Sequence, residues 1–190
     1  VLIEAIDQYL ATRPKDKRRI RCFHPSTLHK SAQYLYDAYL NGDNNQDFEP
    51  RLLRIFDNGH GVHYRLQRYL KEIGTLVETE VPVENQEYEI CGSADGILKL
   101  GKREGVLEIK SINANGFYAT HEPKPDHIIQ INIYMFCLGI PRGCVLYENK
   151  NNQELKEFYV KLDNKILDPV LEKIKLVQSW IRGGGIENNQ

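Results

Sequence analysis

The spacing of apolar residues changes twice along this chain, and the changes divide it into helical and extended stretches. Residues 1–11, VLIEAIDQYLA, mix apolar and polar groups in a pattern that predicts a helix. A second helix is expected from Ser26, as N-cap after Phe23-His24-Pro25, to about Leu40. The polar run Asn41 to Asp47 breaks the pattern. A longer helix follows from about Pro50 to Ile73, with Leu52, Leu53, Phe56, Leu66 and Leu70 on its apolar face. Gly59 and Gly61 interrupt it at a cost of about 1 kcal/mol each relative to alanine, which predicts a bend or a close approach by another group. From Leu76 the period becomes two. Strands near 76–84, 87–100 and 105–112, the last two joined by a turn at Gly101-Lys102-Arg103-Glu104-Gly105, make an antiparallel meander. A short helix near 114–120, the breaker run Glu122-Pro123-Lys124-Pro125 and a helix near 126–139 come next, then strands near 142–149 and 154–161 turned at Asn151-Asn152. A last helix, about 163–182, buries Ile166, Val170, Leu171, Ile174, Val177 and Ile181, and Gly183-Gly184-Gly185 ends it. The expected architecture is α/β, a mixed central sheet flanked by helices, in one domain over residues 1–182 with a flexible tail at 183–190.

Composition changes this picture only at the margins. A chain of 190 residues, 41% hydrophobic and 27% charged, can bury a core without cross-links or structural metals. No apolar run approaches the roughly 18 residues that span a bilayer, and residues 1–11 lack the basic start and cleavage site of a signal peptide. A cytoplasmic protein, in a bacterium or a phage-infected host cell, is expected. Cys22, Cys91, Cys137 and Cys144 are scattered without a Cys-x-x-Cys pair, so they are expected to be reduced thiols, mostly in the core. The net charge of -1 lacks the basic excess common among nucleic-acid binders, so any such surface must be local. Arg13, Lys15, Lys17, Arg18, Arg19 and Arg21, opposed only by Asp16, make one candidate patch, and a solvated loop is the plain alternative.

The candidate chemistry lies on the second hairpin. With its turn centred on Lys102 or Arg103, Asp95 pairs with about residues 109–111 and Glu108 with about 96–98, a diagonal step apart. Glu108 and Lys110 share a face. Two carboxylates and a lysine therefore converge, and paired carboxylates repel unless a cation neutralises them. Hard oxygen ligands, with the backbone carbonyl of Ile109 as a further donor, favour Mg²⁺ or Mn²⁺. Such an ion polarises phosphoryl oxygens and activates water, while Lys110 orients the water, assists its deprotonation or neutralises transition-state charge. Two further Glu-x-Lys runs, Glu148-Asn149-Lys150 and Glu154-Leu155-Lys156, are set aside as lying outside apolar strands. Gln130 and Tyr134, at i and i+4, share one helix face.

The run Cys91-Gly92-Ser93-Ala94-Asp95-Gly96-Ile97, then Val106-Leu107-Glu108-Ile109-Lys110-Ser111, then Gln130-x-x-x-Tyr134 resembles the PD-(D/E)xK nuclease superfamily, and within it the RecB-like and phage exonucleases. Upstream, Gly59-His60-Gly61-Val62-His63-Tyr64-Arg65-Leu66-Gln67 resembles the family's G-x-x-x-H-x-x-x-E helix. The resemblance implies a restriction-endonuclease-like core and a metal-dependent DNA exonuclease acting in recombination, repair or replication. It also implies metal ligation by His63, Asp95 and Glu108, a catalytic Lys110, and Gln130 and Tyr134 reaching toward the site or the DNA. His60, between its glycines, is the alternative ligand, and Gln67 stands where an acid is common. Arg21 and Ser26 could hold a terminal phosphate, with Ser111 a further DNA contact; simple capping by Ser26 is the plain alternative. Phe117, Tyr118 and His121 could stack on bases or belong to the core. Members with an iron–sulfur cluster carry one cysteine before these motifs and three after. Here Ser31 stands near the first, no cysteine follows Cys144, and no cluster is expected. DNA is the expected partner, with room for a recombination or replication protein and none for a membrane. A structure-specific endonuclease of the same superfamily, a non-catalytic DNA-binding module and a domain with a chance motif are the competing readings.

Overall fold

The computed structural model describes residues 1–13, 21–42 and 48–183. Most of the basic stretch, the centre of the polar break at 43–47 and the tail from 184 onward lie outside the described residues. The elements in chain order are α1 (Leu2–Thr12), α2 (Ala32–Asn41), α3 (Pro50–Glu72), β1 (Leu76–Asn85), β2 (Ile90–Leu100), β3 (Arg103–Ile112), α4 (Ala114–Ala119), α5 (Pro125–Leu138), β4 (Arg142–Asn149), β5 (Leu155–Lys161) and α6 (Asn164–Arg182).

The strands lie in sequence order in one mixed sheet, antiparallel throughout except for the parallel pair β3 and β4. That pair requires a crossover, which α4 and α5 supply. Alternation along the strands sorts their side chains between two helical layers. Val106 packs with Ile131 and Met135 of α5, whereas its neighbour Leu107 packs with Val62 and Leu66 of α3. A third cluster joins α2, α6 and the start of β2 through Leu35, Tyr39, Ile90 and Ile174. Each fully buried Leu or Ile contributes about 1.5–3 kcal/mol. Gly143 sets how closely α5 approaches the sheet, because a Cβ there would lie 2.8 Å from both Ile131 Cδ1 and the Val106 carbonyl. No helix among the described residues is long and apolar enough to cross a membrane.

Four local expectations need correction. Ser26 does not cap α2. Pro25–Thr27 form a 3-10 turn closed by the Thr27 N–H and hydroxyl on the His24 carbonyl, and the helix restarts after Ser31, whose hydroxyl accepts the Tyr34 N–H. Gly59 and Gly61 neither interrupt α3 nor admit a neighbouring protein group, since a Cβ at either would meet nothing within 4 Å. Cys22 and Cys91 are joined as a disulfide rather than held as separate thiols, because a bridge between Phe23 and Ile90 sets their Cα atoms 5.8 Å apart. Cys137 and Cys144 are free, and burial pushes both thiols up to about 12. Finally, Glu148 lies in a buried strand: its carboxylate is 1% exposed and accepts the Arg65 guanidinium at 2.8 and 2.9 Å. This pair ties α3 to β4 over the sheet.

Removing one member of such a pair leaves a buried charge uncompensated. Arg65→Ala is expected to cost about 3 kcal/mol in urea unfolding, and the double change Arg65→Met with Glu148→Leu to recover most of it. Equal destabilisation in the single and double variants would show that the pair does not carry this contact.

Candidate active site

The β2–β3 ladder runs from Leu100↔Arg103 to Gly96↔Leu107 and stops there. Its turn is one step tighter than the sequence suggests, centred on Gly101 and Lys102, and Asp95 and Glu108 are the residues next to the last pair on either strand. Alternation fails on β2 at the same point, because Ala94 and Ile97, three apart, both join the α5-side core. The neighbouring strand shares the irregularity. Glu80 of β1, flanked by the pairs Thr79↔Gly96 and Val81↔Ala94, has a left-handed backbone with φ of 51°. Gly96 is needed here, since a Cβ would lie 2.5 Å from the Glu78 carbonyl.

Into this opening the Asp95 carboxylate turns edgewise. One oxygen accepts the N–H of Ile109 at 2.5 Å, a donor the interrupted ladder leaves to it, and the other lies 3.1 Å from His63 Nδ1. The N–H and carbonyl of a strand residue point to the same edge, so the Ile109 carbonyl faces the same gap. Glu108, 2% exposed, is 2.6 Å from Lys110 Nζ through one oxygen. Lys110 also donates to Gln130 Oε1 at 2.9 Å, and the Gln130 amide donates to the Tyr134 hydroxyl at 3.0 Å. The structure thus brings together His63, Asp95, Glu108, Lys110 and Gln130, with Tyr134 behind Gln130 as a positioning group.

Electrostatics follow from that burial. Desolvation first, and the Asp95 carboxylate second, push Glu108 up to about 7 against the pull of Lys110. For His63, burial opposes protonation. The hydrogen bond and charge of Asp95, with Glu108 behind, outweigh it and raise the imidazole above its ordinary value. Without a cation the cluster tends to hold protons; a dication would replace them. The donors, two carboxylates, an imidazole and a main-chain carbonyl, suit a hard or borderline divalent ion.

Of the two histidines on α3, His60 is exposed and His63 meets Asp95. Gln67 is buried and donates to the Asp95 carbonyl at 2.8 Å and to Glu80 Oε1 at 2.7 Å. Glu80 is therefore a site residue that sequence reasoning missed. In the run Val77-Glu78-Thr79-Glu80-Val81 nothing distinguishes it from Glu78, and no glycine or asparagine marks the left-handed turn of the backbone. Ser111 is half-buried next to Lys110. Arg21 is exposed and Ser26 half-buried, at the two ends of a segment whose Pro25 packs on β2 at Gly92. Arg13 binds Asp57 through two nitrogens. Phe117 is not a base-stacking surface: it is 2% exposed, in the core, with Lys156 Nζ 4.6 Å from its ring centroid. Tyr118 is exposed and donates to Glu154.

No family model matches the sequence, and no curated protein matches it either. Solved structures do. An alkaline exonuclease, LHK-Exo, from Laribacter hongkongensis superposes with a TM-score of 0.67 at 18% identity over 87% of this chain and 90% of its own. LHK-Exo in complex with dAMP gives 0.68 at 17% over 93% of each chain. The chain therefore shares its fold with these exonucleases. A phage-related exonuclease from Haemophilus somnus 129PT shares this exonuclease fold, with a TM-score of 0.57 at 12% identity over 86% of this chain and 93% of its own.

Beside the site, His127 of α5 is held close to Tyr147, with its Nδ1 2.7 Å from the hydroxyl. Burial first and the Lys110 charge second lower its pKa to about 4, against an opposing pull from Asp126. A histidine depressed in the fold contributes stability that is present above its ordinary value of 6.5 and lost as pH falls toward about 4. Between pH 7 and pH 4 the protein is expected to lose about 3 kcal/mol more stability than its His127→Gln variant. Parallel acid limbs of urea midpoint against pH would refute this.

Proposed function

We propose that this chain is a metal-dependent deoxyribonuclease that hydrolyses phosphodiester bonds from DNA ends. The observation that carries the reading is the buried pair Asp95 and Glu108, set where the ladder opens, with Lys110 at one side and His63 at the other. A surface ion pair would need neither the burial of Glu108 nor the broken ladder. The resemblance in fold to exonucleases, one of them in complex with dAMP, supports the same chemistry and an exonuclease over an endonuclease.

Asp95, Glu108, His63 and the Ile109 carbonyl are the residues that would hold Mg²⁺ or Mn²⁺. When bound, the ion supplies a polarised phosphoryl oxygen and water of lowered pKa. Glu108 touches Lys110 through one oxygen, which leaves the other for the ion. Gln130 keeps its hydrogen bond to the ammonium, so Lys110 stays aimed into the gap, where it stabilises charge on the phosphorane or the water that attacks. Tyr134 fixes Gln130. Gln67 holds the Asp95 carbonyl and is itself held by the Glu80 carboxylate. Arg21, Ser26 and Ser111 are the DNA contacts we assign, and the process we assign is recombination, repair or replication.

Linear DNA labelled at either end is expected to be degraded with Mg²⁺ or Mn²⁺ and left intact with EDTA. Lys110→Ala, Asp95→Asn and Glu108→Gln are each expected to lower kcat about a thousandfold or more. Tyr134→Phe, which acts through Gln130, is expected to cost about tenfold. Cleavage of covalently closed circles would establish an endonuclease instead, and metal-independent binding without cleavage would establish a non-catalytic module.

A further inference from the structure

Two cysteines and a histidine meet where the segment before the 3-10 turn lies along the start of β2. Phe23 donates its N–H to the Glu89 carbonyl at 2.7 Å and accepts the Cys91 N–H at 3.0 Å, forming a parallel bridge. In extended backbone, residues on either side of a bridging residue share a face. Phe23 goes into the core, so Cys22 and His24 are presented together on the other side, beside Cys91. The Cys22 sulfur lies 3.7 Å from His24 Nε2 and the Cys91 sulfur 3.9 Å from Nδ1, and one donor atom from each residue falls within 4.8 Å of the others. Both sulfurs are buried and the imidazole is half-buried.

A disulfide alone does not require an imidazole against both of its sulfurs. Two thiolates and an imidazole, by contrast, are a donor set for a soft or borderline ion, and bonds of about 2.0–2.3 Å at tetrahedral angles separate such donors by about 3.3–3.8 Å. One ion would use both sulfurs and a single ring nitrogen, and such a set of donor atoms already lies within 4.8 Å of one another, about 1 Å beyond that spacing at most. We propose that Cys22, His24 and Cys91 form a second metal site that takes one zinc-class divalent ion when the cysteine pair is reduced. Opening it requires a dithiol reductant. The S–S bond breaks, two electrons and two protons pass from the dithiol, which closes to its own disulfide, and two thiols result; the ion then displaces both thiol protons. In either state the segment bearing Arg21 and Ser26 is fastened to β2, a short way along the strand from Asp95. The inference does not depend on the nuclease reading, since no sulfur lies among the donors at Asp95 and Glu108.

Co²⁺ and Zn²⁺, each alone, are the probes, with the full chain reduced by a dithiol that is then removed anaerobically. Co²⁺ is expected to give a sulfur-to-cobalt charge-transfer band at one equivalent per chain, which one equivalent of Zn²⁺ bleaches. Asp95→Asn is expected to keep the band, and Cys22→Ser and Cys91→Ser to lose it. His24→Ala, which leaves both core sulfurs in place, is expected to keep a weaker band with affinity at least tenfold lower. The proposal is overturned by any of three results: no such band in the reduced protein, a band indifferent to all three substitutions, or a pair that excess dithiol does not reduce.

Discussion

Two carboxylates held side by side out of water set the terms for the rest of this structure. Glu108 is almost fully buried beside Asp95, and neither desolvation nor mutual repulsion favours both being charged. Everything around them offsets that cost. Lys110 approaches Glu108 from the same face, Asp95 is held by a main-chain N–H and by His63, and the sheet parts to let this happen. Burial strengthens each of these contacts, since charge–charge interactions grow as the local dielectric falls.

The parting of the sheet is itself supported from two sides. Gln67, one turn beyond His63 on α3, takes the Asp95 carbonyl and the Glu80 carboxylate, so main-chain groups freed by the break find partners. From α5, Gln130 takes Lys110 and is backed by Tyr134. The two helices in turn are fixed by features remote from the site: α3 by its apolar contacts with Leu107 and Ile109 and by Arg65 on Glu148, α5 by its close approach at Gly143. Positional accuracy at the carboxylates is thus inherited from packing on both faces of one sheet.

Elements long enough to show a period were legible in the sequence, and so was the mixed sheet. The 23-residue α3, the meander and α6 fall where the apolar pattern puts them. Local chemistry misled in places where tertiary context outweighed it. Ser26 is as good a cap as Ser31, but Pro25 begins a turn that packs against β2, and the helix waits for the next serine. The residues at the carboxylate centre were readable because acids in an apolar strand are conspicuous. Glu80 was not, since an acid in an alternating strand looks solvated and its left-handed backbone follows from the break at Asp95. The Cys22 and Cys91 pair was equally hidden: the sequence separates them by 69 residues, and only the bridge at Phe23 joins them.

The hydrogen-bonding of Lys110 bears on how the proposed site would accept a cation. Its ammonium is shared between Glu108, which a metal ion would recruit, and Gln130, which a metal ion would leave alone. With a single partner, Lys110 would follow Glu108 or swing out to solvent when the carboxylate changed its contact. With two, the loss of the first leaves the second to hold the charge in place, at 2.9 Å and within a helix whose own position is set by the core. A glutamine suits that task because its carbonyl accepts from the lysine while its amide donates to Tyr134, so its orientation is fixed from both ends. A glutamate there would compete with Glu108 for the lysine and add a third negative charge to a site already short of solvent. The neutral amide therefore follows from the same burial that brings Asp95 and Glu108 together.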